Sequence, residues 1–147
     1  MTRGWLVRVP ASSANLGAAF DAVALALARY LEVTDEGEAT SENHPAVRAF
    51  RQGGGTGTIH VRAQFPGGRG LGYSGASRVA GLLAAHAQAG RSAWEARAEI
   101  LREATTLEGH ADNVAASIHG GIVAVAGGRV VRIPLGRELA VVVWVPE

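Results

Sequence analysis

The sequence contains neither lysine nor cysteine, so all 14 of its basic residues are arginine. The absence of lysine excludes Schiff-base chemistry, the Walker A phosphate loop and a protein-kinase fold, because each of these needs a lysine side chain. The absence of cysteine excludes disulfide bonds, thiolate catalysis and zinc–thiolate sites. Any catalysis or binding must therefore use arginine, histidine, carboxylates, hydroxyls, amides and the main chain.

Strong net charge and long apolar runs are missing as well. The formal net charge is +1, which gives no indication of a nucleic-acid partner. No apolar stretch reaches the length of a membrane span, and the N-terminus lacks the apolar core of a signal peptide. We therefore expect a cytoplasmic protein without a membrane partner. With 147 residues, 48% of them hydrophobic, the chain predicts one domain over residues 1–147.

Hydrophobic patterning and turn residues predict a mixed α+β domain, or an interleaved α/β sandwich, rather than a doubly wound sheet. A loop is expected over 11–20, and the last strand is expected to be buried on both faces. The predicted strands cover residues 5–10, 31–39, 57–65 and 139–146, with a hairpin over 121–134 that turns at Ala126–Gly127–Gly128. The predicted helices cover 20–31, 44–52, 74–89 and 92–106, with a short helical run after the polar turn that starts at 108.

The segment "PGGRGLGYSGAS", residues 66–77, places five glycines directly before an apolar helical pattern. Such a flexible loop at a helix N-terminus is typical of an anion site. Gly70, Gly72 and Gly75 match the dinucleotide fingerprint, but the second strand that it requires is replaced by a helical pattern. We predict a different phosphate loop, anchored by Leu71, in which Ser74 contacts phosphate or magnesium. A glycine-rich turn without a ligand is the alternative.

Two further segments concentrate polar residues. The segment "PASSANLGAAFD", residues 10–21, carries Asn15 and Asp21, an amide and a carboxylate suited to a hydroxyl and an ammonium group. An ordinary turn, with Asp21 favouring a helix dipole, explains it equally.

The segment "EGHADN", residues 108–113, combines two carboxylates, an imidazole and an amide. Glu108 is a hard oxygen ligand suited to magnesium. His110 and Asn113 are candidates to hold a small polar substrate. The alternative is a turn in which Asp112 caps a helix. The other four histidines are interpreted as structural: His44, His60, His86 and His119.

In their order along the chain, these three segments resemble the GHMP small-molecule kinases. They are most similar to the homoserine kinases, whose usual forms are close to PASSANLGPGFD, GLGSSAA and EGHPDNVAP. The resemblance implies the GHMP N-terminal domain fold, related to ribosomal protein S5 domain 2. It also implies ATP-dependent phosphorylation of the side-chain hydroxyl of L-homoserine, in threonine biosynthesis, with ATP and Mg²⁺ bound and a homodimer left open.

The resemblance assigns roles to individual residues. It implies catalytic roles for Ser74, Glu108 and Asp112, and it makes Ser74 and Glu108 the magnesium ligands, with Glu103 as an alternative. The residues expected to hold homoserine are Asn15, Asp21, His110 and Asn113. The residues expected to hold the ATP phosphates are Pro66, Gly67, Gly68, Arg69, Gly70, Leu71, Gly72, Tyr73, Ser74, Gly75, Ala76 and Ser77.

The chain also departs from the family pattern. Tyr73 replaces the first serine of the usual pair, Gly75 replaces an alanine and Ala111 replaces a proline. Ala18–Ala19 replaces Pro-Gly, and the family's C-terminal domain is absent from this chain. Two alternatives follow: a GHMP kinase for another substrate, such as shikimate, pantoate or an isoprenoid alcohol, or a truncated, non-catalytic relative that binds nucleotide or an amino acid.

Overall fold

The computed structural model describes residues 4–145 and confirms the α+β class. Five strands and four helices are present in that range. The strands are β1 (Leu6–Leu16), β2 (Ala19–Thr34), β3 (His60–Ala63), β4 (Ile122–Ala126) and β5 (Arg129–Ile133). The helices are α1 (Pro45–Gln52), α2 (Tyr73–Gln88), α3 (Ala93–Glu108) and α4 (Asp112–His119).

The strands form one antiparallel sheet built around β2. One edge of β2 pairs with β1, and its other edge pairs with β3 at the end near Thr34 and with β4 around Ala24. The β4–β5 hairpin completes the sheet. Helices α2 and α4 pack against β1 and β2, while α1 and α3 pack against α2. The segments at 66–77 and 108–113 therefore converge on the helical side of the β1–β2 pair.

The predicted helices at 44–52, 74–89 and 92–106 are confirmed to within two residues, and so is the hairpin with its glycine turn. Helix α3 begins as its sequence predicts, because the Ser92 hydroxyl accepts a hydrogen bond of 3.4 Å from the Glu95 N–H. No helix within residues 4–145 combines the length and apolarity that crossing a bilayer requires.

The helix predicted for 20–31 is wrong, because these residues lie in β2. The loop predicted for 11–20 is also wrong, since β1 continues to Leu16 and β2 begins at Ala19. The alanines and leucines of this segment favour a helix by intrinsic propensity. Pairing with three neighbouring strands, together with burial of Leu27 and Leu31, overrides that preference.

The buried strand predicted for 139–146 is wrong as well. Residues 139–145 form no strand and are exposed, with Val142 94% and Trp144 83% accessible, while Pro146 lies outside the described residues. An apolar run becomes a strand only where a neighbouring strand accepts its hydrogen bonds and covers its side chains. Among the described residues, no strand pairs with this segment.

Helices α1 and α2 approach each other closely at Gly81. A methyl group on Gly81 would lie 2.1 Å from the main-chain oxygen of Ala46 and 2.9 Å from the Ala49 side chain. Since backbone atoms are on one side of this contact, no rotamer change can relieve the overlap. The close approach therefore fixes the middle of α2 against α1.

We expect Gly81→Ala to lower the free energy of unfolding by about 1–3 kcal/mol, the usual cost of overpacking a core. Gly75→Ala in the same helix is the matched control, because its methyl group would meet neighbours only at 3.6 Å. The control should raise the stability by roughly 0.5–1 kcal/mol through helix propensity. Urea denaturation of both variants measures the difference, and equal destabilisation would contradict the packing explanation.

Candidate functional site

The glycine loop leads from β3 into the N-terminus of α2. Gly68, Gly70 and Gly72 have φ angles of 71°, 71° and 67°, a conformation that side-chain-bearing residues rarely adopt. The main-chain N–H groups of residues 70–75 find no hydrogen-bond acceptor in the part of the chain that the structure describes. Leu71 is 8% exposed and lies in the core, as predicted. The loop thus presents free N–H groups at the positive end of a 16-residue helix.

Ser12 of β1 connects the loop to α4. Its N–H donates to the Leu71 oxygen at 3.1 Å, and its hydroxyl donates to Oδ1 of Asn113 at 2.8 Å. A methyl group on Gly72 would lie 2.1 Å from the Ser12 hydroxyl oxygen. Glycine at 72 is therefore required both by its positive φ and by its contact with β1.

Ser74 and Glu108 meet where the start of α2 faces the end of α3. The Ser74 hydroxyl lies 3.0 Å from Oε2 of Glu108. Arg78, one turn further along α2, donates from Nη1 to both groups. The Glu108 side chain is 11% exposed, so this cluster is largely shielded from water. Glu103, the alternative magnesium ligand, makes no hydrogen bond to Ser74 within residues 4–145.

His110 and Asp112 form a second polar group beside the first. The His110 Nδ1–H donates to Oδ1 of Asp112 at 2.9 Å, and the Asn113 N–H donates to the same oxygen at 2.7 Å. Asp112 is 1% exposed at the first turn of α4, where the helix dipole favours its charge. When the imidazole carries a single proton, this geometry places it on Nδ1 and leaves Nε2 as an acceptor, 3.9 Å from Oε1 of Glu108.

Asn15 and Asp21 face each other at the end of the β1–β2 hairpin. The Asp21 N–H donates to Oδ1 of Asn15 at 2.9 Å. Both residues have positive φ angles, 58° and 54°, which cost energy in residues other than glycine and are concentrated at functional sites. Within residues 4–145, no side-chain hydrogen bond or ion pair joins these two residues to the cluster at the helix ends.

Tyr73, which stands in place of the usual serine, is held by its neighbours. Its ring packs edge-on against Phe65 and His44, and its hydroxyl lies 3.0 Å from Nε2 of His44. Burial lowers the pKa of His44 and raises the pKa of Tyr73, so both are neutral at pH 7. Because Nδ1 of His44 accepts from the Ala46 N–H, Nε2–H is the donor to Tyr73.

The remaining loop residues divide into two groups. Ala76 and Ser77 are buried within α2, so their side chains face the core rather than a ligand. Pro66, Gly67 and Arg69 are exposed at the start of the loop. Sequence reasoning missed Ser12 and Arg78 as parts of the site. For Arg78, the available signal was its spacing of four residues from Ser74, which places both side chains on one face of the helix.

A family model and two curated relatives that match this chain agree with one another. The family model described as "GHMP kinases N terminal domain" matches residues 38–121. A homoserine kinase of Corynebacterium urealyticum is 40% identical in a 140-position alignment that covers 80% of this chain and 45% of the relative. A homoserine kinase of Streptomyces coelicolor is 37% identical, covering 95% of this chain and 54% of the relative.

The similarity extends to a solved structure. The crystal structure of homoserine kinase from Cytophaga hutchinsonii has a TM-score of 0.67 and 26% identity, covering 91% of this chain and 53% of that one. The chain spans about half the length of the curated relatives it matches.

The contact between Gly72 and Ser12 can be tested against a second glycine of the loop. We expect Gly72→Ala to destabilise the protein by about 1–2 kcal/mol for the positive φ and by about 1–3 kcal/mol more for the overlap. Gly68→Ala is the matched control, because Gly68 shares the positive φ but has no atom within 4 Å of the added methyl. Urea denaturation measures the free energy of unfolding of both variants. An equal loss of stability in the two would show that the overlap with Ser12 adds nothing to the cost of the positive φ.

Proposed function

The chain belongs to the GHMP kinase family, and on that basis we propose that its protein transfers the γ-phosphoryl group of ATP to the side-chain hydroxyl of L-homoserine. The observation that carries the proposal is the row of free N–H groups at residues 70–75, which ends at the Ser74–Glu108 pair. An anionic phosphate chain and its metal ion need these two features side by side. The names of the relatives at 37% and 40% identity support homoserine as the acceptor.

Ser74 and Glu108 fit a magnesium ion by the chemistry of their donor atoms. Both supply hard oxygens, and the two oxygens are 3.0 Å apart. No group of three or more histidine, aspartate or glutamate side chains in residues 4–145 could hold a metal by itself. This agrees with magnesium, which is usually bound by one or two carboxylates and by substrate phosphates. When bound, the ion neutralises charge that develops on the phosphate oxygens.

The N–H groups of the loop hold the phosphates without any lysine. The macrodipole of α2 adds a positive potential at the same place. Tyr73 replaces the usual serine, but its ring is fixed by edge-on packing against Phe65 and His44. Positioning and charge neutralisation account for most of the catalysis in phosphoryl transfer, so a strong general base is not required.

The amino-acid substrate would be held from two sides. Asp21 offers a carboxylate to the ammonium group, and Asn15 fixes the backbone at Asp21. The Asn113 oxygen is occupied by Ser12, so its amide N–H groups remain to donate to a carboxylate. Nε2 of His110 is an acceptor for the hydroxyl hydrogen. Asp112, buried beneath His110, acts through that imidazole and the start of α4 rather than by direct contact.

A carboxylate at residue 21 favours an ammonium-bearing substrate over an isoprenoid alcohol, shikimate or pantoate, since none of these carries a cation to pair with it. A homodimer, a cytoplasmic location and a single domain over 1–147 stay predictions.

We expect Asp21→Asn to weaken homoserine binding at least roughly tenfold and to leave ATP binding unchanged, because a charge-assisted hydrogen bond is lost only at the ammonium end. Calorimetry of the 147-residue chain with each ligand in the presence of magnesium measures both affinities. The same substitution in the product of the complete reading frame should raise KM for homoserine and leave KM for ATP unchanged.

Asp35→Asn is the matched control. Asp35 lies just after β2, and its Oδ1 accepts from the Trp5 N–H, a role that an asparagine oxygen can keep. An equal loss of homoserine affinity in both variants would contradict the assignment of Asp21. Absence of heat with ATP–Mg²⁺ and with homoserine, together with absence of phosphoryl transfer from the complete gene product, would overturn the kinase proposal itself.

A further inference from the structure

A guanidinium group occupies the place that the proposed function gives to a divalent cation. Nη1 of Arg78 donates to the Ser74 hydroxyl and to Oε2 of Glu108, the same oxygen that faces Ser74. The side chains of Arg78 and Glu108 are 24% and 11% exposed. Both oxygens that would ligate magnesium are thus already bound by a positive charge.

A magnesium ion and this guanidinium are mutually exclusive on those oxygens. A metal bound between Ser74 and Glu108 would lie in contact with the Arg78 charge, and two like charges at that distance repel strongly where water is largely excluded. The Ser74 hydroxyl and Arg78 both donate to Oε2, so together they use the two lone pairs of the oxygen that a metal between Ser74 and Glu108 needs. Metal binding therefore requires Arg78 to move.

We propose that Arg78 is the counter-ion of Glu108 in the metal-free protein and that Mg²⁺ displaces it on binding. This inference rests on the proposed function, because it takes the Ser74–Glu108 pair as the metal site. The exchange keeps the carboxylate neutralised in both states. Without the metal, Arg78 avoids the large cost of a shielded, unpaired carboxylate. With the metal, the ion takes over that role, so Arg78 raises the concentration of Mg²⁺ at which the site fills.

The fold contains a polar space next to Arg78 that can receive it. A cavity of about 220 Å³ lies between α1, α2 and α3, and Arg78 itself forms part of its wall. Asn43 and Gln52 line the same cavity and carry amide oxygens that accept from a guanidinium. Arg48 is also there and limits how strongly the cavity holds a second positive charge. We therefore expect the Arg78 guanidinium to enter this cavity when a metal displaces it, and to stay on Glu108 when no metal is bound.

The test measures binding of Mn²⁺ alone to the 147-residue chain, using the electron paramagnetic resonance signal of the free ion. Arg78→Gln should bind Mn²⁺ about tenfold more tightly than the original chain, because the competing charge is gone. Arg102→Gln is the matched control, since Arg102 is exposed on α3, donates to the Ala98 oxygen of its own helix and carries the same charge. The control should leave the affinity unchanged, and Glu108→Gln should abolish binding.

The outcomes distinguish the displacement of Arg78 from the existence of the metal site. Equal or weaker Mn²⁺ affinity in Arg78→Gln would overturn the displacement and leave the metal site intact. Failure of every variant to bind Mn²⁺, both alone and with a non-hydrolysable ATP analogue, would remove the metal site from the proposed function, and the displacement with it.

The original chain offers a test that needs no substitution, in case Arg78→Gln does not fold. During a Mg²⁺ titration, the Nε–H resonance of Arg78 should shift with the same midpoint as metal binding. An unchanged Arg78 resonance at metal saturation would overturn the displacement.

Discussion

The contact between Ser12 and Gly72 is the constraint on which the site depends. It brings a strand, the glycine loop and α4 together, since Ser12 binds Leu71 through its N–H and Asn113 through its hydroxyl. Only glycine fits at 72, because any larger residue would overlap the Ser12 oxygen. With this contact in place, the N–H groups of residues 70–75 have no hydrogen-bond acceptor among the described residues. Those N–H groups lie at the N-terminus of α2, where the helix dipole favours an anion.

The polar side chains around this contact are paired with one another. Glu108 is paired with Arg78, and Asp112 accepts hydrogen bonds from His110 and from the Asn113 N–H, so neither shielded carboxylate is left without a partner. Ser74 lies between the free N–H groups and Glu108. Under the proposed function, nucleotide and its metal would therefore exchange existing partners instead of filling a site with an unpaired, shielded carboxylate.

Much of this arrangement could be predicted from the sequence, because the signals are local. Glycines directly before an apolar helix predict the loop, and Ser92 with Glu95 predicts the start of α3. The long-range features could not be derived in this way. Ser12 and Asn113 are 101 residues apart, and nothing near either of them specifies the other. The alanines and leucines of β2 predict a helix by local propensity. Pairing with three neighbouring strands makes the segment a strand instead.

Nuclear magnetic resonance of the backbone amides tests the central claim most directly, because it reports on the loop N–H groups themselves. A non-hydrolysable ATP analogue with Mg²⁺ is titrated into the chain while the amide resonances are followed. The account predicts that the largest shifts occur at residues 70–75 and that they saturate together. It would be contradicted if these resonances stayed in place at saturating nucleotide, or if the shifts were confined to another part of the molecule.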